Sequence, residues 1–250
     1  MAVKKAETEI HVPVLTQGVA KLRIIGTTPM FQNRMANKAT HSLLVGSKKK
    51  TAAEKALIKH NPPEEYRNSA ERLKEGPTAL GLRVVAVKAA MCTAALETAG
   101  ITKTSAQRLL FMPGDLTPLY GTPQLRMDIV RSADINKTPD VRTRCYIPKW
   151  GAEIEIKYIT PQLSIASVVA LLCNAGVLVG VGDFRQEKGK GSFGSFRVLG
   201  ESQKDDEWDD LVANHGRDVQ LAALADPECA NADTAELLEF YESEVIRRAA

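Results

Sequence analysis

Residues 176–199, GVLVGVGDFRQEKGKGSFGSFRVL, constrain this chain more than any other stretch. An apolar run (Val177, Leu178, Val179, Val181) leads into Gly180 and Gly182. A polar, mostly basic segment with Arg185, Lys188 and Lys190 follows, interrupted by Gly189, Gly191 and Gly194. Phe193, Phe196, Val198 and Leu199 then close the stretch with the spacing of a strand. Glycines this dense let a backbone adopt positive φ, approach another backbone closely and turn its amides outward. The flanking cations make phosphate the natural guest of such a loop, and a solvated hairpin connection is the plain alternative. No GK[ST] follows, so this is not a Walker loop, and the spacing fits no strand-to-helix dinucleotide turn.

The rest of the chain is ordered around that loop. Residues 19–25, VAKLRII, alternate apolar and basic residues as a half-buried strand does. The region from 31 to about 80 differs in character: polar and basic, with Lys48-Lys49-Lys50 and a short helix expected from Pro62-Pro63. It reads as an insertion rather than core, able to grip nucleic acid or to be a simple surface excursion. Residues 82–99 have strong helix propensity and stop at Gly100, and a shorter helix is expected over 104–111. Prolines and glycines from Pro113 to Pro123 predict a loop. Strands are expected over 125–131, with Arg126 and Asp128 on one face, over the extended piece 141–150, and over 152–159. Ser164 caps a helix with Ile165, Val168, Val169 and Leu172 at helical spacing, ended by Gly176.

In order the core reads strand, insertion, helix, strand, strand, helix, strand, which is the βαββαβ pattern of ferredoxin-like and RRM-like α+β domains. The division expected is an RRM-like core over 1–200, with its insertion at about 31–80, and an acidic helical C-terminal extension over 201–250. Charge divides at the same point. Residues 1–200 hold 29 Lys and Arg against 16 Asp and Glu, a balance of +13, while residues 201–250 hold 4 against 14, a balance of −10. A basic body points to a polyanion partner, and the acidic extension to a competitor for that surface or an assembly element. No run of roughly 18 apolar residues occurs and the N-terminus lacks a signal-peptide core, so a cytoplasmic protein is expected. Cys92, Cys145, Cys173 and Cys229 have no metal-ligand spacing and are expected as free thiols. Neither a metal nor another cofactor is expected.

These elements together resemble the RAMP superfamily, the RRM-like proteins of CRISPR effector complexes and their relatives, and in particular small phage-encoded proteins of that type. The resemblance spans about residues 21–199. It rests on the first strand with its Thr-Pro-apolar exit, KLRIIGTTPMF, and on the glycine-rich GVGDFRQEKGKGSFGSFRV. Asn33 and Arg34 stand where many members have glycine, and the glycine loop is longer than usual. The resemblance implies binding of single-stranded RNA or DNA along the sheet and under insertions, with side-by-side self-association along the strand. It implies backbone contacts from Gly180, Gly182, Arg185, Gly189, Gly191 and Gly194, supported by Lys188 and Lys190. Arg34, Lys48, Lys49 and Lys50 of the insertion and Arg126 and Arg131 of a strand complete the candidate set. If phage-encoded, the protein would work in the host cytoplasm.

Catalysis is weakly signalled. Backbone-type members that cleave use an aspartate after the first strand, and residues 27–82 contain none. His41 and His60 in the insertion are the acid-base candidates for an RNA-processing endoribonuclease, without an evident second group. The leading expectation is a non-catalytic binder. The endoribonuclease and a purely structural assembly protein are the alternatives.

Overall fold

A computed structural model describes residues 13–35, 40, 41, 43, 44, 59–131, 138–188 and 191–249, with the backbone alone for Lys188 and Ala249. Lys48, Lys49, Lys50, Gly189 and Lys190 lie outside the described residues. The architecture is mixed, with helices packed against antiparallel sheets. Long antiparallel pairing of β1 (Thr16–Gly26) with β8 (Gly151–Thr160) sets Leu22 opposite Ile154. On the other side of β1 lies β9 (Phe196–Gly200), with Ile24 opposite Val198. β8 also pairs with β4 (Leu110–Phe111) and with β5 (Leu116–Tyr120), and β3 (Gly81–Arg83) extends the sheet beyond β5.

Alternation decides which face is buried. Ala20, Leu22 and Ile24 of β1 and Ala152, Ile154 and Ile156 of β8 point into one core. Two helices complete that core: α2 (Val84–Ala94), through Val87 and Met91, and α4 (Ile165–Leu178), through Val168 and Leu172. Between them in the chain lies the short α3 (Lys103–Leu109). A one-residue slip of β1 would turn Lys21 and Arg23 into this core, so its register is strongly set. The opposite face carries a smaller cluster of Ile25, Leu199, Trp208 and Leu211.

A second sheet stands apart. β6 (Gln124–Arg131) and β7 (Pro139–Ile147) form a hairpin, and the three-residue β2 (Met30–Gln32) pairs with the base of β7. α1 (Pro62–Ser69) packs on this hairpin, capped by the Asn61 side chain, which accepts from Glu64 N. Its Tyr66 is fully buried, and the Tyr66 hydroxyl donates to Ala223 O at 3.1 Å.

The acidic C-terminal stretch folds onto the body as α5 (Asp206–Asn214), α6 (Arg217–Ala225) and α7 (Ala232–Ala249). Gln220 of α6 is fully buried. It accepts from Ala79 N (2.7 Å) and Leu80 N (2.9 Å) and donates to Leu119 O (2.8 Å) and Gly121 O (3.0 Å). That single amide joins α6 to the residues leading into β3 and to the end of β5. α7 lies along β6, where Thr234 Oγ1 accepts from Met127 N at 3.2 Å.

Several expectations are corrected. The stretch read as a proline-rich loop contains β5, because Pro118 looks like a breaker by composition yet keeps the carbonyl through which a strand can pair. The expected strands over 125–131 and 141–150 leave the main sheet and pair with each other. The helix expected over 82–99 spans only Val84–Ala94, and Leu82 belongs to β3. Gly176 does not end α4 but lies inside it, where a Cβ would sit 2.1 Å from Phe196 O. The region read as insertion rather than core contributes β2, Tyr66, Ala70 and Leu80 to the main core.

Candidate nucleic-acid interface

Phe31 is the meeting point of stretches that are far apart in sequence. As part of β2 it lies opposite Tyr146, and Phe31 O accepts from Asp183 N at 2.9 Å. The Asp183 carboxylate also accepts from Asn33 Nδ2 at 2.9 Å. The glycine loop is thereby stitched to the exit of β1 and to the hairpin.

Arginine and aromatic side chains fill this junction. Arg144, with its side chain 5% exposed, donates to Asp128 (2.6 Å) and Asp183 (3.3 Å). Its guanidinium lies 4.2 Å from the Phe31 ring centre and 5.7 Å from that of Phe184. Arg126 stands over Phe31 (5.5 Å) and Tyr146 (5.3 Å) and pairs with Asp128 (3.1 Å). Phe193 meets Phe31 edge-on at 4.7 Å and is stacked with Phe184 at 5.8 Å. Cation–π and ion-pair contacts so shielded from water hold their geometry better than exposed ones.

The glycines of the loop serve the loop itself. Gly194 has φ +76°, and a Cβ there would fall 1.8 Å from Val181 O. The amide of Gly194 donates to Pro29 O at 2.8 Å and that of Gly180 to Ala175 O at 2.9 Å. Gly182 crosses Phe31 O, and Gly191 lies over the carbonyl of Phe184. Arg185 donates to Gly182 O at 3.1 Å and pairs with Glu187 at 2.7 Å. The expectation of outward-facing amides therefore does not hold at Gly180 and Gly194, whose amides are used internally.

A groove runs past the junction. A cleft of about 270 Å³ is lined by Phe31, Asn33, Arg34, Arg83, Gly182 and Asp183. On one side lies a space of about 520 Å³ with Arg34, Arg72, Arg83 and Asp115. On the other lies a space of about 400 Å³ with Arg34, His60, Asp140 and Arg142. Arg34 lines all three, so the spaces adjoin one another there. The lining by itself is not basic: Arg34, Arg72, Arg83 and Arg142 face Glu65, Glu71, Asp115, Asp140 and Asp183. Residues 36–58 hold five lysines and one glutamate, and their flanks are rooted at this groove, Met35 in its lining and Lys59 on Asp140.

The outer face of the main sheet is different. There Arg23 faces Glu153 (4.0 Å) and Lys157 faces Glu155 (3.9 Å). Arg197 is gripped by Asp205 (2.7 Å) and Glu207 (2.9 Å) at the start of α5. Trp208 covers the sheet, with Arg23 5.0 Å from its ring and Tyr120 edge-on at 5.7 Å. Tyr120 is thus occupied.

Of the sequence-derived candidates, the structure gathers Arg34, Arg126, Gly180, Gly182, Arg185 and Gly194 around Phe31. Arg131 is exposed at the far end of β6, five residues from Arg126 and so about 17 Å away at 3.4 Å per residue. Arg72, Arg83, Arg142 and Arg144 were missed as site residues. Arg142 and Arg144 are legible as a basic extended piece, whereas Arg83 sits where propensity reads helix.

His60 is held on both sides, Nδ1 by Glu65 at 2.9 Å and Nε2 by Asp140 at 3.0 Å. The hydrogen bond from Lys59 holds the Asp140 carboxyl below its usual range, helped by that from His60. All four cysteines are free thiols, and burial pushes the Cys145 thiol up to about 12. Among the described residues no group of three His, Cys, Asp or Glu side chains could hold a metal ion, and no helix is long and apolar enough to cross a membrane.

No protein-family model and no curated protein sequence matches the chain. Among solved structures it is similar to a chain of the "Type III-B Cmr-beta bound to cognate target RNA", at 12% identity and a TM-score of 0.32. The match covers 73% of this chain and 61% of that one. A likeness of that size fixes neither fold nor function.

Proposed function

We propose that this protein is a non-catalytic single-stranded nucleic-acid-binding protein built on an RRM-like core and related to the RAMP superfamily. The sheet order β9-β1-β8-β5, with α2 and α4 on one face, supports the ferredoxin-like part of that reading. The observation that carries the function is the convergence at Phe31–Arg34. The basic insertion, the arginine-bearing hairpin and the glycine loop all reach the same groove there. A single strand laid along it would meet Arg34, Arg83 and Arg142, with the lysines of 36–58 neutralising its phosphates. On this proposal the strand does not lie on the outer sheet face, which α5 and Trp208 partly cover. Side-by-side association along the strand belongs to the same reading.

A binding rather than cleaving role is part of the same proposal, with His60, held between Glu65 and Asp140, as the residue an endoribonuclease reading would use. Fluorescence anisotropy with labelled single-stranded RNA and DNA of mixed sequence, titrated over a salt series, tests the reading. The expected log–log slope is about −0.7 for each phosphate neutralised, with weak sequence preference and an intact strand on a denaturing gel. A flat salt response, or a strand cut in the presence of chelator, would overturn it.

A further inference from the structure

Phe184 is the one non-glycine among the described residues with positive φ, at 53°. A bulky aromatic in the left-handed region is strained and persists only where its surroundings dictate it. They do so here. The preceding amide, Asp183 N, is bonded to Phe31 O, Gly191 lies against the Phe184 carbonyl, and Arg185 bridges to Phe193. Glycine or asparagine would meet that backbone requirement at less cost. The loop instead carries a phenyl ring and leaves 40% of the residue in solvent.

That ring ends a continuous column. Arg126 lies over Phe31, Phe31 meets Phe193 edge-on, and Phe193 is stacked with Phe184 at an interplanar angle of 26°. Arg144 is inserted between Phe31 and Phe184, fixed by two aspartates, so the column is braced from within. Packing needs would be met if the terminal ring were turned inward. An exposed, pre-set ring beside a groove edged by Asn33 and Asp183 has the form of a stacking surface for a flat aromatic guest.

We infer that Phe184 is a base-stacking residue: one nucleobase of the bound strand leaves its neighbours and lies on the Phe184 ring. The inference rests on the nucleic-acid reading above and adds a contact which that reading does not require. Nucleobase stacking tolerates any base, because each has a π-face, so it supplies affinity without sequence preference.

The test separates base from phosphate. A homopolymeric single strand and a strand of the same length made of abasic residues are titrated against the parent, Phe184→Leu and Arg83→Ala. Phe184→Leu keeps bulk and removes the ring, and its thermal midpoint is measured alongside. The parent should prefer the base-bearing strand by on the order of tenfold, and Phe184→Leu should lose most of that preference while binding the abasic strand like the parent. Arg83→Ala should weaken both strands equally. Undiminished preference in a folded Phe184→Leu would overturn the stacking inference and leave the groove standing. If Phe184→Leu does not fold, the contact is read from 2-aminopurine placed singly along the strand bound to the parent, where emission should rise at the position that leaves its neighbours and a base that stays quenched at every position overturns the inference. A parent that binds neither strand would instead remove the nucleic-acid reading itself.

Discussion

The outer face of the main sheet and the groove beneath the hairpin both carry arginines, and they use them differently. On the outer face Arg23 and Arg197 are matched by Glu153, Asp205 and Glu207, and α5 lies across the strands with Trp208. At the groove, Arg144 is held by Asp128 and Asp183 among aromatic rings, Arg34 and Arg83 share Glu71, and Arg142 lines the adjoining space. A body with a balance of +13 is therefore not uniformly available to a polyanion. What each cation is already bonded to decides which face can bind.

Four experiments bear on that contrast. The largest effect is expected from truncation after Gly200. This removes Gln220 and uncovers Ile25 and Leu199, leaving the buried amides of Ala79 and Leu80 and the carbonyl of Leu119 without the Gln220 partner. Each such group costs about 1–3 kcal/mol, a large share of a domain's stability. The truncated chain should be insoluble or lack cooperative unfolding by circular dichroism. A folded, binding-competent truncation would break the view of the outer face as structural.

Next come the two buried-side and outer-side arginines, compared by urea denaturation. Arg144→Met leaves Asp128 with Arg126 alone and Asp183 with Asn33 alone, and should cost about 2–3 kcal/mol. That is below the roughly 3–5 kcal/mol of a fully buried pair, because both carboxylates stay part-exposed. Arg197→Met, on a half-open network, should cost about 1 kcal/mol or less. Equal losses would erase the distinction.

The third is smaller and concerns binding. Replacing Lys48, Lys49 and Lys50 by Gln should lower the magnitude of the salt slope by about 2 and the low-salt affinity on the order of tenfold. Replacing the outer-face Lys21 and Lys157 by Gln should change neither, and a comparable loss there would move the strand to the sheet.

The smallest effect is a pH dependence at the insertion's root. Lys59 and His60 hold Asp140 below the usual carboxylate range. A depressed folded value means the contribution is present above the ordinary Asp value of about 3.9 and is lost as pH falls through the folded value. Thermal midpoints from pH 6 down to 3 should fall slightly more steeply for the parent than for Asp140→Asn. Parallel curves would remove the latch.

Much of this was legible in the sequence. The alternation of 19–25 and 152–159 marked β1 and β8, and Ser164 marked the start of α4, because period and capping are local signals. Long-range facts were not. Nothing local distinguishes a hairpin that leaves the sheet from two strands within it, so β6 and β7 were misplaced. The glycines were recognised, but their purpose was not. Gly191 and Gly194 are set by carbonyls of residues 181 and 184 in the same loop, which only the folded loop brings near. Arg34 and Arg126 stood out as charges, whereas Arg83 needed the three-dimensional groove to be seen.

The most direct test is photo-crosslinking of the intact protein to a single strand carrying a photoreactive base at successive positions, with the attached peptides identified by mass spectrometry. Crosslinks should concentrate in residues 30–35, 36–58 and 180–194, with few in residues 17–23 and 153–159. The reverse distribution, centred on the outer faces of β1 and β8, would contradict the placement of the strand in the groove.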